Sequence, residues 1–123
     1  MPTKPISKIL DRELPKIDAK ESIDNASKLL KECVNYSTTV FRRCNESSSN
    51  LDEDVPLFIL YLHIMKMTDG IEVLIQELCL DSATLLLRSS FEALLSMEFI
   101  FEKNSKNRAL SWLFVYAKNQ QKF

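Results

Sequence analysis

Two arginines and three carboxylates carry the densest chemistry in this chain of 123 residues. Arg88 and Glu92 stand one helical turn apart, and Arg108 opens a later helix. Within one helix, Arg before Glu is the weaker orientation of an ion pair and contributes at most a few tenths of a kcal/mol. A turn centred near residues 80 and 81 supplies a better reason for Arg88. Antiparallel register then places it across from Glu72 or Val73, close to Asp69. Arg88, Glu92, Arg108, Glu72 and Asp69 therefore form a candidate polar network. Such a group fits three kinds of chemistry: an ion-pair network that sets helix register, an anion or ligand site built on Arg88 and Arg108, or a catalytic cluster. A buried guanidinium needs such partners, because an unpaired one is strongly destabilising. The same register sets Phe91 across from Gly70, whose missing Cβ would make room for the ring.

Other reactive groups are few. Cys33, Cys44 and Cys79 are odd in number, without a Cys-x-x-Cys spacing, and read as small buried side chains in a reducing compartment. His63 is the one histidine and sits in the most apolar stretch, where a packed or hydrogen-bonded core histidine is expected. No Glu-x-x-His repeat accompanies it, so no metal ligand set is expected, and no cofactor. A single glycine excludes the phosphate loop, the dinucleotide fingerprint and the nucleophile elbow. Sixteen basic against seventeen acidic residues leave a net charge of −1, so no global field for nucleic acid exists. The densest apolar run, Leu57 to Met65, falls well short of the roughly 20 residues of a membrane span. No apolar leader follows Met1. A cytoplasmic protein is the expectation.

These side chains must be positioned by helices. Few glycines and long stretches of three-four periodicity point to an all-α, up-and-down bundle of about four helices (18–123) behind a short N-terminal arm (1–17). In the arm, a short helix from Ile6 to Leu14 would be stopped by Pro15, and the basic series Lys4, Lys8, Arg12, Lys16, Lys20 would be interrupted with it. Asp18 to Glu21 reads as a capping box for a helix that buries Ile23, Ala26, Leu30, Cys33, Val34, Ser37, Val40, Phe41 and Cys44. Ser47 to Asn50 is a loop. Asp52-Glu53-Asp54-Val55-Pro56 starts the next helix, with acids at the positive end of its dipole. Leu57, Tyr61, Ile64, Thr68, Ile71, Ile75 and Leu78 then keep a strict four-three seam, and further apolar residues around the first half predict deep burial there. Asp81 reads as the cap of a third helix, Ser82 to about Glu102, whose seam is Ala83, Leu87, Ser90, Leu94, Met97 and Phe101. Asn104 or Ser105 caps a fourth, from about Lys106 to Gln121.

The fourth helix is apolar all round, which marks a helix that is covered on all sides. Three preceding helices cover about half of it. Trp112, Leu113, Phe114, Val115 and Tyr116 are therefore a candidate partner surface, to be met by a second copy of the chain or by polypeptide lying downstream. Charge is unevenly placed. Residues 45–102 hold two basic and eleven acidic side chains, and residues 103–123 hold five basic and no acidic ones. An acidic central hairpin thus faces a basic terminal helix, within one chain or between two.

The stretch Ala83-Thr84-Leu85-Leu86-Leu87-Arg88-Ser89-Ser90-Phe91-Glu92-Ala93, with its Arg-Ser-x-x-Glu-Ala helix and the later Arg108-Ala109-Leu110, resembles a family of uncharacterised bacterial all-helical domains. That resemblance covers about half the chain. It implies a protein of unassigned role that extends past residue 123, so that this chain is an N-terminal or truncated portion. The family is similar in build to the HEPN proteins, many of which act in RNA cleavage, toxin–antitoxin pairs and phage defence. Their Arg-x4-6-His motif has no match around His63, since Pro56, Leu57 and Phe58 occupy the upstream positions. The leading expectation is a non-catalytic interaction or oligomerisation module, with no membrane partner. The alternative is an RNA-targeting or defence factor that lacks the usual motif, and a small-ligand sensor at Arg88 is a third.

Overall fold

The computed structural model describes residues 10–47 and 52–122. These form helices α1 (Glu13–Asp18), α2 (Lys20–Asn45), α3 (Val55–Gln76), α4 (Leu80–Glu102) and α5 (Ser105–Gln120), with a 3-10 turn at Asp52–Asp54 ahead of α3. There is no strand among the described residues, and the expected all-α bundle is what the chain forms. Lys4, Lys8, the first two prolines and most of the Ser47 to Asn50 loop lie outside the described residues.

Several helix starts differ from the sequence reading. Pro15 does not end a helix; it lies in the first turn of α1, where its missing N–H has no carbonyl to serve. The capping box at Asp18 does not form, because α1 runs through Ala19 almost directly into α2. The Ala19 carbonyl accepts from Ile23 N–H at 2.9 Å and begins the helix without a side-chain cap. Asp81 likewise is not the cap of α4. That helix starts at Leu80, with Cys79 before it and Asp81 in its first turn. The turn between α3 and α4 closes by a Schellman pattern: Leu78 adopts φ 54°, its N–H reaches Ile75 O at 3.0 Å, and Cys79 N–H reaches Leu74 O at 2.8 Å.

Helix α3 is the centre. It packs on α2 along one flank and on α4 along the other, while α2 and α4 do not pack on each other. Phe41 of α2 meets Phe58 edge-on at 5.7 Å and stacks on Tyr61 at 6.1 Å, and Tyr61 Oη donates to Ser37 O at 3.2 Å. Helix α5 folds back against α3, α4 and the 3-10 turn. Leu60, Ala93, Ile100 and Ala109 form the buried core at that corner, with Leu57, Ile64, Met97 and Trp112 packed around it.

The face that α4 turns inward is rotated from the one its periodicity suggested. Of the expected seam, Ala83 is buried and Met97 packs on the core, but Leu87, Leu94 and Phe101 are exposed while Ala93 and Ile100 are buried. Two apolar rows run along this helix, and the one with the smaller residues faces α3, because alanines let the two axes approach. Gly70 records the approach: a Cβ there would lie 2.9 Å from Leu86 Cδ1. The glycine accommodates a neighbour as expected, but that neighbour is Leu86 rather than Phe91. The α3 seam is also less enclosed than expected, being half-buried apart from Ile71, and Cys33 and Cys44 of α2 are exposed.

Consecutive residues on α4 test the rotation. Ile100 is 0% exposed and Phe101 61%. In dilute protein, urea denaturation of Ile100→Ala should show a loss of about 2–5 kcal/mol. Phe101→Ala, although it removes the larger side chain, should lose under about 1 kcal/mol.

Candidate functional site

The five polar residues singled out in sequence occupy three separate places. Arg88 and Glu92 pair with each other on the outside of α4, Nε to Oε1 at 3.1 Å, with the arginine side chain 78% exposed. Arg108 sits at the α4–α5 corner, where Nη1 donates to Phe99 O at 2.5 Å and to Glu102 Oε2 at 3.0 Å. Its guanidinium also lies 3.9 Å from the centroid of the Phe99 ring. It holds α5 against the end of α4 and supplies a donor to a carbonyl in the last turn of that helix. Glu72 lies on the far flank of α3, facing α2, and Asp69 is exposed one turn earlier. No common network brings Arg88, Arg108 and Glu72 together. The register also differs from the expected one, since Gly70 meets Leu86, five residues before Phe91, and the rotation of α4 carries Arg88 away from α3.

Glu72 is the buried member, at 5% exposure. Ser27 Oγ of α2 donates to its Oε1 at 2.5 Å, Gln76 Nε2 donates both to that oxygen and to Ser27 Oγ, and Lys31 Nζ lies 3.5 Å away. The Ser27 hydrogen bond is the main reason that its carboxyl titrates below the ordinary value, with Gln76 and Lys31 assisting and burial opposing. Ser27 and Lys31 were missed in sequence. Their signal was present: each is one polar residue beside the apolar face of α2, four apart, matching Glu72 and Gln76 on α3.

The second polar constellation is a cleft of about 500 Å³ between α3, α4 and α5. His63 Nε2 and Ser89 Oγ hydrogen-bond across it at 2.8 Å, Lys66 and Ser96 lie along it, and Trp112 stacked on Tyr116 at 5.1 Å forms one wall. A serine beside a histidine has the spacing of an activated nucleophile. Both residues are mid-helix, however, so the surrounding backbone N–H groups are committed to carbonyls one turn back and offer no oxyanion site. The pair acts as a tie between α3 and α4. Among the described residues, no group of three or more His, Cys, Asp or Glu has the arrangement to hold a metal ion.

The expected partner surface on α5 is divided. Trp112 and Leu113 are half-buried against the core side, while Phe114 is 70% exposed, with Val115 and Tyr116 also exposed. No described helix is long and apolar enough to cross a membrane.

Two substitutions separate the buried carboxylate from the surface pair. Ser27→Ala should cost about 1–3 kcal/mol at neutral pH. Because the folded carboxyl titrates below its ordinary 4.5, this contribution is present in full above that pH and is lost as pH falls through the lower folded value. The gap between variant and wild type in an acid-to-neutral series of urea titrations should close accordingly. Arg88→Ala should leave the melting temperature within about 2 °C of wild type, the exposed pair being worth about 0.5 kcal/mol or less.

No curated protein and no solved structure matches the chain. A family model described as a family of unknown function, DUF5677, matches residues 54–123. The matched stretch holds α3, α4, α5, the His63–Ser89 cleft and the Arg108 tether, and leaves α2 and its Ser27 outside. With more than half of its length matched, the chain belongs to the DUF5677 family, whose function is unknown.

Proposed function

We propose that the chain is a non-catalytic helical interaction module that self-associates through its last two helices. The carrying observation is where apolar surface remains. Of the large hydrophobic side chains left exposed, eight belong to α4 and four to α5, against two on α3 and two on α2. Contiguous apolar surface of this kind marks an association site more often than a solvated face. Trp112 and Leu113 anchor α5 to its own chain, while Phe114, Val115 and Tyr116 offer the outer side of the partner surface expected from sequence. Three free thiols suit a reducing cytoplasm.

The alternative, an RNA-targeting, phage-defence or toxin–antitoxin factor of HEPN build, needs Arg88, Glu92 and Arg108 at a shared site. The outward pairing of Arg88 and the folding of Arg108 onto Phe99 lend it less support.

Light scattering after size exclusion tests the leading reading. At micromolar concentration the mass should exceed the 14.2 kDa of one chain and rise with concentration. A monodisperse monomer that binds no hydrophobic dye would overturn it.

A further inference from the structure

We infer that the outward stripe of α5 docks into the groove between α2 and α4 of a second copy, joining chains head to tail. The inference rests on the interaction reading above and specifies where the last helix goes.

Among the described residues, the groove is open over α3. Val40 and Cys44 of α2 form one wall at its end, Met97 and Phe101 of α4 the other, and Leu57 and Tyr61 of α3 the floor, around about 360 Å³. Helical periodicity extends it. Ile64, Thr68 and Ile75 continue the floor at four-three spacing, all half-buried, and Leu94 and Leu87 continue the α4 wall at seven-residue steps from Phe101, both exposed. A four-three floor between two helices that do not touch is the shape one further helix fills, by ridge-into-groove packing on α3.

The α5 helix has the matching stripe. Leu110, Phe114 and Ala117 follow i, i+4, i+7 spacing and are exposed, on the side away from Ala109 and Trp112. Charge agrees. Glu98 lies beside the Leu94–Phe101 wall and Lys118 follows Ala117, and neither makes an ion pair with a described residue of its own chain. They repeat locally the contrast between the acidic central hairpin and the basic last segment.

Among the described residues, a chain does not fill its own groove. Its α5 is tethered by Arg108 on the cleft side of α3, and His63 in the cleft is about 200° of helical turn from Tyr61 in the groove. Stripe and groove therefore occupy opposite faces, so the contact is heterologous. Such a contact grows into a ring or a filament rather than closing about a twofold axis.

Two variants test this in the whole chain. Phe114→Glu spoils the stripe and leaves the groove intact; Leu94→Glu with Phe101→Glu does the reverse, and circular dichroism checks that both stay helical. Each alone should be monomeric by sedimentation velocity, while an equimolar mixture forms a one-to-one complex that grows no further. Where a glutamate unfolds the chain, glutamine at the same position replaces it. Lys118→Glu should weaken wild-type association severalfold, and Glu98→Lys in the same chain should restore it. A wild type that associates while the mixture stays monomeric overturns this docking but keeps the interaction reading. So does a wild type that stops at a dimer, whereas a wild type that never associates removes both.

Discussion

Helix α3 packs on each of the other long helices. It is flanked by α2 and α4, which do not pack on each other, so the contacts along its two flanks hold these three helices together. Each flank is fixed differently. On the α4 side the constraint is close approach, with Gly70 against Leu86 and two alanines turned inward. On the α2 side it is larger and partly polar: the Phe41, Phe58 and Tyr61 rings at one end, and Glu72 with Ser27 at the other. Small residues draw one neighbour in, and rings hold the other at a distance. The result is a layer of three helices with a channel above its middle member.

The polar chemistry divides along the same lines. A carboxylate buried between α2 and α3 must be satisfied where it stands, and three side chains converge on Glu72 for that reason. Arg88 and Glu92, turned outward by the same rotation that brings Ala93 and Ile100 inward, have water for a partner and need only each other. Arg108 follows neither pattern. It covers an aromatic ring and donates to backbone near the end of α4, and thereby fixes the angle at which α5 returns. The exposed large hydrophobic side chains are concentrated on α4 and α5.

Much of this was legible before any coordinates. The number of long helices, their order, the hairpin between α3 and α4 and the need for a glycine at position 70 all follow from spacing, because burial of one helical face imposes a 3.6-residue period on the residues themselves. The incomplete cover of the last helix was legible for the same reason: Trp112 to Tyr116 run round the circumference, and no single neighbour encloses a full turn. The partner of His63 was not legible, because Ser89 is a small polar residue whose role depends on which helix lies opposite.

The rotation of α4 was beyond the sequence as well. Leu86, Ala93 and Ile100 trace one apolar row at seven-residue steps and Leu87, Leu94 and Phe101 another, and periodicity alone ranks the second higher because its side chains are larger. Tertiary packing reverses that order, since the distance between two helix axes is set by the bulk between them and the smaller row permits the closer contact. Residue types alone determined that this chain is helical and where its helices turn. Only the packed structure decided which faces meet, and therefore which side chains are enclosed and which are left facing outward.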